Sequence, residues 1–213
     1  DERETERPAA ALGLVAGRLS LDALGAAGGP SQTRRPVPTA AQLEWQRDEL
    51  ALFLHFGVNT FTDREWGDGK EGPGIFAPSA LDARQWARAA RSAGFRMMIL
   101  TAKHHDGFCM FDSKLTDYTI TKATPFHRDP MKELAAECKK QGIKLCFYHS
   151  VMDWHEPDYL PRREWERETR PAGNADLDRY IEHMKGQLRE LLTNYGPIGV
   201  IWFDGGWEHG ADQ

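Results

Sequence analysis

Cysteine is scarce in this sequence, and its three copies lie far apart. Cys109, Cys138 and Cys146 are too few and too widely spaced for a disulfide framework or a four-ligand zinc site. The sequence therefore predicts buried free thiols. Cysteine usage at this level does not distinguish an oxidising compartment from a reducing one.

The chain also lacks an excess of positive charge and any long apolar run. Its 27 Lys and Arg residues are outnumbered by 32 Asp and Glu, which gives a formal net charge of −5. Nucleic-acid-binding proteins have the opposite sign, so no nucleic acid partner is expected. No stretch approaches the roughly 18 apolar residues of a membrane-spanning helix, so no membrane partner is expected. With 40% hydrophobic and 28% charged residues, the composition is that of a globular domain.

Regular periodicity is missing from residues 1–40. This segment is rich in small residues, contains Pro30, Pro36 and Pro38, and shows neither a helical nor a strand period. We interpret it as an arm or linker, either flexible or the remnant of a processed leader. Residues 41–213 are then the main domain, predicted to be the N-terminal part of a catalytic barrel.

In the main domain, short apolar runs alternate with long amphipathic stretches, which predicts a parallel sheet with helical crossovers. The predicted strands cover residues 51–56, 96–101, 143–148 and 199–203. The predicted helices cover residues 79–94, 129–142 and 175–194. Ser79 is the expected cap of the first helix, and Asp129 followed by Pro130 is the expected start of the second.

The strand spacing fits two fold classes. Successive strands begin about 50 residues apart, which suits an open doubly wound sheet or a (β/α)8 barrel. The glycine-rich phosphate loops of open nucleotide-binding sheets are absent after the first strand. We therefore predict an α/β fold of the (β/α)8 TIM-like barrel type, with about the first four βα units in this chain.

Polar and aromatic side chains lie at the carboxyl end of every predicted strand. They are His55 at the first strand, His104, His105 and Asp106 after the second, Tyr148 and His149 at the third, and Trp202 and Asp204 at the fourth. In a barrel these ends open on one face, where active sites lie. Two adjacent imidazoles beside a carboxylate are poorly solvated when buried, which indicates a functional use.

Two other chemistries find less support. A zinc hydrolase needs converging ligands such as H-x-H on a strand or H-E-x-x-H on a helix, and neither spacing occurs. Ser150 lies outside any G-x-S-x-G nucleophile elbow. We predict no metal ion, and a metal-dependent barrel hydrolase is kept as an alternative.

Four segments resemble, in order, the catalytic domain of α-L-fucosidases, glycoside hydrolase family 29. They are ALFLHFGVNTFTDREWG, KHHDGFCMFDSKLTDYTI, YHSVMDWHEPDY and IWFDGGW, and the resemblance extends from about Trp45 to Trp207. It implies a retaining exo-glycosidase that removes terminal α-linked L-fucose from fucosylated oligosaccharides or glycoconjugates by double displacement. It implies no metal and no organic cofactor.

The resemblance also implies roles for individual residues. Asp204 of the WFDGGW segment would be the nucleophile that attacks the anomeric carbon. The fucose subsite would be lined by His55, Glu65, Trp66, His104, His105, Tyr148 and Trp202. Imidazoles and a tyrosine hydroxyl can hydrogen-bond sugar hydroxyls, and indole rings offer an apolar surface to the C5 methyl group of fucose.

A retaining glycosidase needs a second carboxyl group about 5 Å from the nucleophile. In this family the acid/base residue follows the strand of the nucleophile. We therefore expect it beyond residue 213, in a longer enzyme, and the resemblance gives Glu208 no such role.

Further expectations concern the alternative function and the setting of the protein. A non-catalytic fucose-binding module or pseudoenzyme is the second hypothesis for function. The resemblance favours a secreted, periplasmic or lysosomal-type location. Assembly into a homo-oligomer is left open.

Overall fold

The fold comes from a computed structural model, which describes residues 35–210. The chain divides into two compact units, Asp1–Arg47 and Asp48–Gln213. The sheet described below belongs to the second unit. Most of the predicted arm lies outside the described residues, and the domain boundary after residue 40 stays a prediction.

Within the described residues, four parallel strands form one sheet in the order β1-β2-β3-β4. The strands are β1 (Ala51–Leu54), β2 (Met97–Lys103), β3 (Lys144–Ser150) and β4 (Ile201–Asp204). Each pairs in parallel with the next, which confirms the predicted α/β fold with a parallel sheet. The last three strands run further toward their carboxyl ends than predicted, so Lys103, Ser150 and Asp204 are strand residues.

The described part of the chain contains five α-helices. They are α1 (Ala40–Asp48), α2 (Ala83–Ser92), α3 (Ile120–Ala123), α4 (Pro130–Gln141) and α5 (Leu177–Asn194). Helices α2, α4 and α5 lie in the three crossovers between successive strands, where the sequence predicts helices. The short α1 and α3 are not predicted from the apolar pattern.

Helix ends follow local capping chemistry. Helix α4 begins as predicted, because Asp129 accepts a hydrogen bond from the backbone N of Lys132 at 3.0 Å and Pro130 opens the first turn. The start predicted for α2 is wrong. Asp82, rather than Ser79, caps this helix by accepting from the backbone N of Gln85 at 3.0 Å.

The sheet buries side chains on both faces. The larger apolar cluster joins strand residues to the helices and includes Met98, Leu100, Leu145, Phe147, Ala87, Ala90, Met131, Leu134 and Leu191. A smaller cluster on the opposite face consists of Met97, Ile99, Cys146 and Tyr148. The three cysteines are free and buried, as the sequence predicts.

Strand register places the polar residues of the strand ends side by side. Tyr148 pairs with Trp202, and Ser150 pairs with Asp204. Because alternate strand residues share a face, these four side chains lie on the face opposite the helices. Among residues 35–210, no helix has the length and apolar character needed to cross a membrane.

Candidate active site

The carboxyl ends of the four strands bring together side chains from separate parts of the sequence. His55 follows β1, His104 and His105 follow β2, Tyr148 lies in β3, and Asp204 ends β4. In parallel strands these ends share one edge of the sheet, and the long connecting loops complete the same region. The site is therefore built by sheet topology as well as by loop sequence.

The Asp204 carboxylate is held by two donors and remains accessible. The Tyr148 hydroxyl donates to Oδ2 at 2.7 Å, and the backbone N of Gly205 donates to Oδ1 at 2.8 Å. The side chain of Asp204 is still 38% exposed. Burial, together with this hydrogen bond to Asp204, raises the pKa of Tyr148. The hydroxyl therefore keeps its proton and acts as a donor at neutral pH.

Three imidazole rings form a cluster at the same strand ends. The ring centre of His104 lies 4.6 Å from that of His55 and 4.1 Å from that of His105. Burial lowers the pKa of His104 to about 3, and the neighbouring imidazoles add to the shift. Burial also lowers the pKa of His55, although Glu65 and Asp204 oppose the change. These rings are neutral near pH 7 and can each offer one donor and one acceptor.

His105 links the nucleophile candidate to β3. Its Nδ1 lies 2.7 Å from the Ser150 hydroxyl, and its Nε2 lies 3.9 Å from Oδ2 of Asp204. Burial lowers the pKa of His105 to about 4, even though the charge of Asp204 acts in the opposite direction. The imidazole is therefore neutral and almost fully enclosed.

Two exposed indole rings border the site. Trp66 is 49% exposed, and Trp207 is 57% exposed. Their rings are near-parallel with centres 6.3 Å apart, and each stands edge-on to the ring of His105. Trp207 is absent from the predicted subsite. The signal in the sequence is its position three residues after Asp204 in the same segment.

Glu65 and Trp202 occupy the margins of the site. Glu65 is exposed and lines a cleft of about 360 Å³ together with His55 and His104. Trp202 is 44% exposed, and its ring packs edge-on to Phe53 at 6.0 Å. The ring of Phe53 in turn packs edge-on to the ring of Tyr148, with ring centres 5.8 Å apart. Trp202 thus joins the predicted residues through an aromatic neighbour.

A buried carboxyl group supports the histidine loop. Oδ2 of Asp106 accepts from Nδ2 of Asn59 at 2.8 Å, and Oδ1 accepts from the backbone N of Phe108 at 2.7 Å. Burial raises the pKa of Asp106 to about 7. This contact joins the loop after β1 to the loop after β2. The partner Asn59 is not foreseeable from the sequence, because it lies 47 positions away.

A buried ion pair joins the end of β2 to the loop after β3. Nζ of Lys103 is 2.9 Å from Oδ2 of Asp153 and 3.2 Å from the hydroxyl of Tyr180. Lys103 has no exposed surface, and Asp153 is only 3% exposed. Lys103 ends β2 and directly precedes the two histidines. The interaction therefore fixes this end of β2 to the loop after β3, through Asp153, and to α5, through Tyr180.

Glu208 is already engaged by neighbouring residues. Its carboxylate forms an ion pair with Arg163 and accepts a hydrogen bond from the Tyr159 hydroxyl. Because both partners occupy its carboxylate, Glu208 is poorly placed to act as the acid/base group. Among residues 35–210, no group of three or more His, Cys, Asp or Glu side chains is arranged to hold a metal ion.

Comparisons with known proteins agree on one family. A sequence profile described as Alpha-L-fucosidase matches residues 70–213. A protein of Oryza sativa subsp. japonica, assigned as an alpha-L-fucosidase 1, is 47% identical over 210 residues, covering 95% of this chain and 38% of that protein. Alpha-L-fucosidase 1 of Arabidopsis thaliana is 44% identical over 173 residues, covering 80% of this chain and 31% of that protein. The chain thus spans about a third of the length of these relatives.

Solved structures give the same result. The crystal structure of a glycoside hydrolase 29 family member from an unknown rumen bacterium matches with a TM-score of 0.70 at 44% identity. The match covers 84% of this chain and 30% of that chain. Sequence and fold therefore lead to the same set of relatives.

Proposed function

Because this chain belongs to the α-L-fucosidase family, we propose that the protein is a retaining exo-glycosidase acting on terminal α-linked L-fucose. Its substrates are fucosylated oligosaccharides or glycoconjugates. The observation that carries the proposal is the Asp204 carboxylate, which is accessible, oriented by two donors and approached by the neutral imidazole of His105 at 3.9 Å. A fixed and accessible carboxylate beside neutral donors suits attack on a sugar carbon.

The proposed reaction proceeds in two displacements. A carboxylate oxygen of Asp204 forms a bond to the anomeric carbon while the glycosidic C–O bond breaks. The leaving oxygen takes a proton from an acid/base carboxyl group. That group then removes a proton from water, which attacks the anomeric carbon and releases Asp204, so the configuration of the sugar is retained.

The surrounding side chains bind and orient the sugar. Tyr148 and the backbone N of Gly205 hold the carboxylate, and the neutral imidazoles are available to the sugar hydroxyls. The free indole faces of Trp66 and Trp207 offer an apolar surface for the C5 methyl group. We assign the acid/base role to sequence that follows β4 in the full-length protein, since Glu208 is committed to Arg163 and Tyr159.

We also propose that the four strands are the first half of a (β/α)8 barrel. The outer strands carry exposed aromatic residues, Phe53 on β1 and Trp202 and Phe203 on β4. Strand edges with exposed aromatic rings are suited to further pairing and burial. The chain spans only 38% and 31% of the length of its two plant relatives. This partial coverage supports the same proposal.

The nucleophile assignment is tested by kinetics of the full-length protein on 4-nitrophenyl α-L-fucoside. Asp204→Ala is expected to lower kcat by roughly 10³-fold or more, because the covalent step is lost. Asp204→Gly with sodium azide is expected to yield β-L-fucosyl azide, since azide enters from the face that the carboxylate normally occupies.

Asp112→Ala is the matched control, because the side chain of Asp112 is 37% exposed, similar to that of Asp204 at 38%. We expect this variant to keep wild-type turnover. Wild-type turnover in Asp204→Ala would reject the nucleophile assignment. Calorimetric binding of fucose without hydrolysis by the wild-type protein would favour the non-catalytic fucose-binding alternative, and loss of turnover with a chelator would favour a metal-dependent hydrolase.

A secreted, periplasmic or lysosomal-type location stays a prediction, and assembly into a homo-oligomer stays open. Fractionation of the source cells tests the location. Light scattering of the full-length protein tests the oligomeric state.

A further inference from the structure

Ser150 occupies a central position that the proposed chemistry does not use. It ends β3, is fully buried, and pairs in register with Asp204. Its hydroxyl makes two contacts among the described residues. The backbone N of Met152 donates to Oγ at 3.0 Å, and Nδ1 of His105 lies 2.7 Å from the same oxygen.

The direction of the hydrogen bond between Ser150 and His105 follows from counting donors. A serine hydroxyl has one proton and two acceptor positions, and Met152 occupies one acceptor position. If Nδ1 of His105 carried the proton, the hydroxyl proton of Ser150 would have no acceptor among the described contacts. Buried polar groups without partners are unfavourable. The hydroxyl therefore donates, and Nδ1 accepts.

The opposite side of the ring supports the same assignment. With Nδ1 as the acceptor, the proton of the neutral ring is on Nε2, which lies 3.9 Å from Oδ2 of Asp204. The other tautomer would direct a lone pair at a carboxylate, and the two would repel. One arrangement thus satisfies the Met152 N–H, the Ser150 hydroxyl and Nδ1 of His105, and it directs the Nε2–H group toward the carboxylate.

We propose that Ser150 is a positioning residue that fixes His105 as the Nε2–H tautomer, so that an N–H group faces Asp204 and the sugar bound there. The expected effect of Ser150 on turnover rests on the proposed function. The tautomer itself is a property of the free protein.

Packing of the adjacent turn keeps Ser150 in place. Gly205 has φ of +90°, and a Cβ at this position would lie 2.8 Å from Cε of Met152 and 3.3 Å from Oγ of Ser150. The turn that follows Asp204 is therefore in close contact with the residues that hold His105. Ser150 is therefore held by its hydrogen bonds to His105 and Met152 and by its packing against the Gly205 turn.

The experiment is nitrogen NMR of the full-length protein labelled with ¹⁵N-histidine, with the His105 signals assigned by His105→Asn. In the wild-type protein we expect a protonated Nε2 and an unprotonated Nδ1. In Ser150→Ala we expect the Nδ1–H tautomer to gain population, and Ser150→Thr, which keeps the hydroxyl, to restore Nε2–H. A role limited to packing would not move these signals.

Kinetics provide the second measurement. Ser150→Ala is expected to lower kcat about tenfold to hundredfold with a smaller change in KM, as for loss of one buried partner. Ser113→Ala is the matched control, because this serine is also fully buried and donates to Glu190 at 2.7 Å outside the site. We expect the control to keep wild-type kcat and the Nε2–H signal.

A protonated Nδ1 in the wild-type protein overturns the proposal, and this result does not depend on the folding of any variant. An unchanged tautomer and kcat in Ser150→Ala also overturns it. If the wild-type protein shows Nε2–H but does not hydrolyse fucosides, the proposed function fails and the assignment of Ser150 stands.

Discussion

Among single residues, Tyr148 has the most direct effect on the nucleophile candidate. Its hydroxyl is the side-chain donor to Asp204, at 2.7 Å, and the other donor is a backbone N–H. Hydrogen bonds to a charged group contribute about 1.5–3 kcal/mol. A phenol in this position orients the carboxylate.

Replacing Tyr148 by Phe is expected to lower kcat on aryl fucosides about tenfold to hundredfold, because one charge-assisted hydrogen bond is lost. Tyr195→Phe is a close control, since the Tyr195 hydroxyl also donates to an aspartate, Asp129, at 2.7 Å but lies outside the site. We expect that variant to lose about 1.5–3 kcal/mol of stability and to keep its kcat. Equal kcat values for the two variants would contradict the orienting role.

Asp106 gives the protein a pH-dependent stability. Burial raises its pKa from 3.8 to about 7, so the folded state binds this proton more tightly than the unfolded state. Between these two values the folded protein carries the extra proton. The contribution of Asp106 to stability is therefore present at low pH and is lost as the pH rises toward 7.

Asp106→Asn removes this titration. Relative to the wild-type protein, the free energy of unfolding of the variant is expected to rise with pH up to about pH 7, by at most about 1.4 kcal/mol per pH unit. Urea unfolding at several pH values measures the difference. The control Asp117→Asn removes a carboxyl group whose side chain is 97% exposed. A flat difference curve for Asp106→Asn would refute the prediction.

Among the elements, β2, the loop after β3 and α5 are joined by the buried group of Lys103, Asp153 and Tyr180. Burial is the largest single influence on the pKa of Lys103 and lowers it, but the charge and hydrogen bond of Asp153, together with Tyr180 and Cys109, raise the pKa by more. Lys103 therefore stays charged within the protein. Because His104 follows directly, the ion pair fixes the histidine loop as well as the packing of α5.

Lys103→Met is expected to destabilise the fold by about 3–5 kcal/mol, since it leaves the Asp153 charge buried without its partner. Adding Asp153→Asn is expected to recover part of this loss. Denaturant unfolding of the single and double variants measures both effects. Lys140→Met, which breaks an exposed ion pair with Glu137, is the control and is expected to change stability by less than about 1 kcal/mol. Similar effects at the two lysines would contradict the prediction.

At the scale of the whole molecule, the outer strands of the sheet carry large side chains in contact with solvent. Phe203 on β4 is 42% exposed, and Leu192 on α5 is 53% exposed. In a closed barrel both positions would lie next to a further βα unit. Their exposure in this chain is consistent with the proposed half-barrel, in which the neighbouring βα unit is missing.

Phe203→Ser in the full-length protein is therefore expected to destabilise it by about 3 kcal/mol or more, as for a buried aromatic residue. Ile75→Ser is the matched control, because Ile75 is 43% exposed and belongs to a short 3-10 helix instead of a strand. We expect the control to change stability by about 1 kcal/mol or less. Small changes at both positions in denaturant unfolding would argue against closure of a barrel over β4.

The sequence by itself determined the strands and crossover helices, the parallel sheet and the family. These features depend on local periodicity, on capping residues such as Asp129 and Pro130, and on short segments such as WFDGGW, all of which can be read within a few neighbouring positions. The same local signals gave the wrong start for α2. Ser79 and Asp82 are both good capping residues, and the helix begins after Asp82, which is one turn closer to the apolar residues.

Only the tertiary structure decided how the site is assembled. The contact of Asn59 with Asp106, the ion pair of Lys103 with Asp153, and the place of Ser150 between His105 and Asp204 join residues about 45–55 positions apart. Such contacts follow from strand register and from loop packing, which a local pattern does not encode. Whether a histidine is neutral, and which of its nitrogens donates, depends on burial and on these distant partners.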